Sequence, residues 1–232
     1  SKDALTHHLA VPKLYLKHGE MYEIPFMLFS YYLMNIDLIY LISLNFGNDI
    51  LPKFIHFSFS LFTAVLIYVY IKQKINRKYA FIGIIYFFTI PIIVKLSTTA
   101  YVDLGLIFFS TASLLFVFRW IENNFKLRYL ILSAIFCGLA MGTKYNGLVT
   151  ACLLALFIPF LFSRLAGPGR RAGVFRPLAY GLIFLVISLA VFSPWMVRNY
   201  VWTKNPVYPL YDRWFQLASA SEEDRVGVRA NR

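Results

Sequence analysis

Charge is scarce in this chain of 232 residues: 15% of it is Asp, Glu, Lys or Arg, against 59% aliphatic, aromatic or Cys. Soluble domains run nearer to about 25% charged and roughly 45–50% apolar, so a water-exposed globule is excluded and an integral membrane protein is expected. Cysteine is scarcer still. Cys137 and Cys152 each sit inside an apolar run with no CxxC spacing, which excludes a disulfide framework and a thiolate metal pair and leaves both as small core residues. There is no G-x-G-x-x-G, no P-loop and no soluble stretch long enough for a nucleotide-sugar pocket. Fixed-period repeats, coiled-coil heptads and low-complexity tracts are missing too. No cleavable signal peptide is visible, because the first long apolar run starts after Pro25. The chain opens at Ser1 without Met, so "SKDALTHHL" is expected to be an internal segment with an upstream piece before it.

What is present is apolar length, aromatic rings and basic punctuation. A span needs about 20 mostly apolar residues, and six stretches meet that: 53–72, 79–96, 102–121, 128–144, 146–163 and 178–196. A seventh, 25–46, carries Asn35 and Asp37 near its middle, costly at mid-bilayer unless buried. It is expected to lie along the interface or to span. The fold class is therefore all-α, a polytopic transmembrane helix bundle. Its expected divisions are an extracytoplasmic loop with short juxtamembrane helices over 1–24, the ambiguous helix over 25–46, the bundle with an outer aromatic loop over 47–211, and a polar tail over 212–232.

The formal charge of +12 does not point to nucleic acid, because the basic residues cluster between apolar runs. Lys72, Lys74, Arg77 and Lys78 fill one loop; Arg119, Lys126 and Arg128 bracket another; Arg164, Arg170, Arg171 and Arg176 mark a third. All three follow alternate spans, so one topology places them together in the cytoplasm. "STTAYVD" (97–103), "GTKYNG" (142–147) and "SPWMVRNYVWTKNPVYPLY" (193–211) then share the extracytoplasmic side.

Those outer segments hold the residues fit for chemistry. Asp3, at a membrane boundary, could take a proton from an attacking hydroxyl, or be a solvated loop Asp. His7 and His8 suggest a metal, but neighbours on a helix point about 100° apart and no third ligand is evident. Asp103 stands at the mouth of a span, as a functional carboxylate or as the cap of the helix that follows. Lys144, in a turn between Gly142 and Gly147, is a point charge suited to phosphate or a snorkelling helix-end Lys. Arg198 could grip a phosphate bidentately or anchor an interfacial aromatic belt. Two carboxylates and two cations on one face suit transfer from a phosphate-linked lipid, with the cations holding the leaving group.

The segments "DALTHHLAVPKLYLKHGE" (3–20), "AYVDL" (100–104), "GLAMGTKYNG" (138–147) and "PWMVRNYVWTKNPVYPLY" (194–211) resemble, in order, landmarks of the GT-C glycosyltransferases. The likeness is strongest to relatives of the dolichyl-phosphate-mannose protein mannosyltransferases and of the lipid A aminoarabinose transferase. The resemblance implies a GT-C-like fold in the inner (plasma) membrane with an extracytoplasmic active site. It implies a polyprenyl-phosphate sugar donor, a lipid, glycan or protein acceptor, and Asp3 as the catalytic base in a displacement with inversion. Asp103 would shape the same cavity; Lys144 and Arg198 would bind phosphate, with His8 and Tyr101 as further substrate-binding candidates. The loop reads Asp3-Ala4 where many mannosyltransferase relatives have Asp-Glu, so no role passes to a neighbouring Glu. No cofactor is certain, and a divalent cation is left open. Two rivals stand beside this reading: a transporter or flippase of lipid-linked saccharides with Asp37 and Asp103 along its path, and a non-catalytic membrane subunit.

Overall fold

The computed structural model describes residues 7–47, 50–167, 173 and 175–216; Asp3, Arg170, Arg171 and the tail from 217 lie outside the described residues. Those described form helices and turns with no strand among them. The chain divides into two units, one of Ser1–Met21 with Leu33–Phe192, the other of Tyr22–Tyr32 with Ser193–Arg232.

In the first unit, α1 (Ala10–His18) and α2 (Asn35–Asn45) are short, and α3 (Leu51–Lys74), α6 (Asp103–Glu122) and α8 (Gly147–Leu165) are long. The chain's longest helix, α9 (Phe175–Thr203), contributes its first part here. These four long helices are apolar and long enough to cross a membrane. At 24, 20, 19 and 29 residues and about 1.5 Å rise per residue, they match a hydrocarbon core of about 30 Å. The protein is thus a multi-pass helical membrane protein. Its outward faces agree: Phe54, Phe62 and Val65 on α3, Leu153 and Leu156 on α8, and Leu182 and Val186 on α9 are exposed. In water such surfaces would drive aggregation, whereas lipid tails accept them.

Two expected spans take other forms. The stretch 79–96 is α4 (Arg77–Thr89) followed by α5 (Pro91–Ser97), bent by 71°. Pro91 is the cause, since it has no N–H to give and forces Ile90 into an extended conformation, φ −67° and ψ 116°. The stretch 128–144 is α7 (Leu127–Met141), which ends at Gly142 after 15 residues, a rise of about 22 Å. Likewise α2, at 11 residues, rises only about 16 Å and is too short to cross alone.

Small residues let the helices of this unit close up. Ser113 on α6 and Ser133 on α7 each donate to the other's carbonyl, at 2.9 and 2.8 Å. Ser188 on α9 donates to the Ala134 carbonyl at 3.1 Å. A Cβ on Gly138 would stand 2.5 Å from Val191 Cβ and 2.6 Å from the Ser188 carbonyl oxygen, so only hydrogen fits between α7 and α9. Interfaces of this kind, with small residues and hydroxyls meeting backbone, suit helices that gain little from burying oil in oil.

Candidate active site

Four pieces of the first unit meet at one end of its helices: residues 7–9 just before α1, the start of α2, the start of α6, and the turn from α7 to α8. The α2 end is fixed by Asn35, whose backbone N–H donates to the Gly142 carbonyl at 3.1 Å and whose side chain donates to the Leu139 carbonyl at 3.0 Å. One residue, through its backbone and side-chain amides, thus meets two carbonyls at the C-terminus of α7. Asn35 earns its place in an apolar stretch by this means.

Asp103 is the first residue of α6, where the helix N-terminus favours a carboxylate. It does not cap that helix. Val102 occupies the N-cap position without a side-chain bond, and Asp103 Oδ1 instead accepts from Lys144 Nζ at 2.7 Å. The side chains of Lys144 and Asp103 are 43% and 29% exposed, so the pair is open to solvent or ligand. The turn carrying Lys144 is held close to α7, since a Cβ on Gly147 would sit 2.5 Å from the Ala140 carbonyl group and from Met141 N.

Beside this pair lies a buried network. His8, nearly buried at 7% exposure, has Nδ1 2.8 Å from Asp37 Oδ1. Its ring stacks on His7 at 4.1 Å between centroids and meets Tyr101 edge-on at 5.7 Å. Tyr101 in turn offers its carbonyl to the Tyr40 hydroxyl. Burial raises the Asp37 carboxyl above its usual range, with the His8 hydrogen bond opposing that shift. Asp37 Oδ2 is buried without a hydrogen-bond partner among the described residues. His7 is lowered to about 3 by burial first, then by His8 and Lys144, so it is neutral near pH 7. No three His, Cys, Asp or Glu side chains converge as a metal site among the described residues.

His56 was not singled out by its sequence context, although a lone imidazole in a span is the kind of costly group that marks a site. It is wholly buried on α3, accepts the Leu104 N–H at Nε2 over 3.0 Å, and has Nδ1 2.8 Å from the Thr99 carbonyl. Asp37 carried the warning of a buried charge in its sequence, but its pairing with His8, 29 positions away, did not show.

Arg198 belongs to the second unit. Its Nη2 donates to the carbonyls of Tyr31 at 2.7 Å and Tyr32 at 2.8 Å, and to Asn199 Oδ1 at 2.7 Å. Trp195 and Trp202 lie 4.6 and 4.9 Å from the guanidinium carbon. Tyr31 adds ring contacts to Trp202 and Tyr208, and its hydroxyl donates to Glu23 at 2.6 Å. Through Nη2 the guanidinium ties Tyr31 and Tyr32 to the last part of α9, where two indoles stack on it.

Among curated proteins and among solved structures, nothing matches the chain. A family model does: the one described as dolichyl-phosphate-mannose-protein mannosyltransferase matches residues 36–197. That stretch holds Asp37, His56, Tyr101, Asp103 and Lys144, while Asp3, His8 and Arg198 fall outside it. With well over half of its length matched, and with the helices and charged pair just described inside the match, the chain belongs to the dolichyl-phosphate-mannose-protein mannosyltransferase family.

Proposed function

We propose that this protein transfers a sugar from a polyprenyl-phosphate donor to an extracytoplasmic lipid, glycan or protein acceptor, and that the Asp103–Lys144 end of the bundle is where it does so. The observation that carries the reading is the 2.7 Å Lys144–Asp103 contact, half open at the mouth of α6. A cation held by a carboxylate on rigid helix ends can meet the charge that develops on a departing phosphate without moving. Asp3 serves as the base: it takes the acceptor hydroxyl proton as the acceptor oxygen bonds to the anomeric carbon. The bond from that carbon to the phosphate oxygen breaks, and polyprenyl phosphate leaves toward Lys144, with inversion.

Support for Asp3 comes from its tether. His8 is seated against Asp37 and Tyr101, and the five steps of chain back to position 3 reach at most about 18 Å, which keeps a carboxylate there within range of the mouth. His8 and Tyr101 wall the donor site. A phosphate at Arg198 would have to displace two backbone carbonyls, so we assign Arg198 to holding the outer aromatic segment. The extracytoplasmic side, and with it the inner membrane, is supported by charge: Lys72, Lys74, Arg77, Arg119, Lys126, Arg128 and Arg164 sit at the other helix ends.

The test is Asp3→Asn in the full-length protein, with transfer measured from radiolabelled polyprenyl-phosphate sugars in membranes. Loss of a general base costs about 10²–10⁴ in rate, so at least a hundredfold fall is expected. Transfer at the wild-type rate would remove Asp3 from the mechanism.

A further inference from the structure

We infer that His56 is a positioning residue that caps α6 from a different helix and thereby frees the Asp103 carboxylate to hold Lys144; its catalytic consequence rests on the reading proposed above. The first turn of any helix leaves backbone N–H groups without partners, and an unmet buried N–H is costly. In α6 the N-cap is Val102, whose side chain has no oxygen to offer. The Leu104 N–H is met instead by His56 Nε2 at 3.0 Å, from the second turn of α3.

The same ring closes the other side of the gap. Nδ1 lies 3.1 Å from the Leu96 carbonyl and 2.8 Å from that of Thr99, at the end of α5. Carbonyls only accept, so Nδ1 carries the proton; the Leu104 N–H only donates, so Nε2 is bare. One neutral imidazole of defined tautomer thus joins the end of α5 to the start of α6 and fixes the short link that presents Tyr101 and Asp103. A local alternative exists and is not used. An Asp at the start of a helix readily turns its carboxylate back onto backbone N–H groups; with the Leu104 N–H already met by His56, the Asp103 carboxylate is left to face Lys144, which it meets at 2.7 Å.

His56→Asn and His56→Gln separate the two arms of the ring. Asn reaches the Nδ1 position and can donate to the carbonyls, but leaves the Leu104 N–H unmet; Gln reaches the Nε2 position with an acceptor oxygen. In the full-length protein in nanodiscs, His56→Asn is expected to keep wild-type helicity while slowing kcat by about tenfold or more at unchanged donor KM, as small misplacements of reacting groups do. His56→Gln is expected to recover most of the loss. Nitrogen-15 spectra of the wild-type ring should show a protonated Nδ1 and a bare Nε2, and exchange of the Leu104 amide should quicken in the Asn variant. Wild-type turnover in His56→Asn, or a proton on Nε2, would overturn the inference. Should the wild-type protein transfer no sugar, the function above fails while the ring spectrum and the Leu104 exchange still decide whether His56 is the cap.

Discussion

At the scale of single residues, the Asp103–Lys144 pair adds little to stability, and the proposed function gives it a part in reactivity instead. Its side chains are 29% and 43% exposed, and ion pairs open to water contribute about 0–1 kcal/mol. Lys144→Met should therefore leave the unfolding temperature within a few degrees of wild type, while a lost charge-stabilising donor lowers transfer by about 10²–10³-fold. Lys144→Arg, which keeps the charge on a longer, planar head, should fall between. Initial rates and thermal unfolding on the same preparations check this, and a large loss of stability with little loss of rate would reverse the assignment. Both members of the pair were legible in the sequence, because a charge beside a long apolar run has few reasons to be there. Their bond, 41 positions apart, was not. The same holds for His8 with Asp37, whereas His56 did not stand out in the sequence at all and shows itself only through its bond to Leu104: partners depend on which helix ends come together.

Elements were legible where apolar length alone decides, and not where backbone chemistry interrupts it. The helices α3, α6, α8 and α9 lie where runs of apolar residues put them. Composition did not reveal the 71° bend at Pro91, though the proline itself was in view, nor that α7 stops at Gly142. Glycine behaves similarly, since its meaning depends on what stands opposite. On Gly147 a Cβ would press on the backbone of α7 at 2.5 Å, whereas on Gly83 it would meet the tip of the Ile71 side chain at 2.7 Å. Backbone cannot yield and a side-chain tip can. Gly147→Ala is thus expected to destabilise by about 1–3 kcal/mol. Gly83→Ala should be neutral or mildly stabilising, because Ala is favoured over Gly in a helix by about 1 kcal/mol. Thermal unfolding of the two variants in one detergent checks the opposite signs; equal effects would mean that the α7–α8 turn is looser than the packing indicates.

At the scale of the whole molecule, the account depends on sidedness. Basic residues gather at one set of helix ends, with Lys74 meeting Glu122 at 2.7 Å there, and the Asp103–Lys144 pair occupies the other set. Sequence made this polarity visible through alternation of basic loops, and the family match agrees with the chemistry it suggests. The most direct measurement places single cysteines at positions 3 and 101 of the full-length protein in intact cells, with Cys137 and Cys152 replaced by Ser, and labels them with a membrane-impermeant maleimide. The account predicts that both positions react from outside the cell without permeabilisation. Labelling of one from outside and of the other only after the membrane is opened would contradict it.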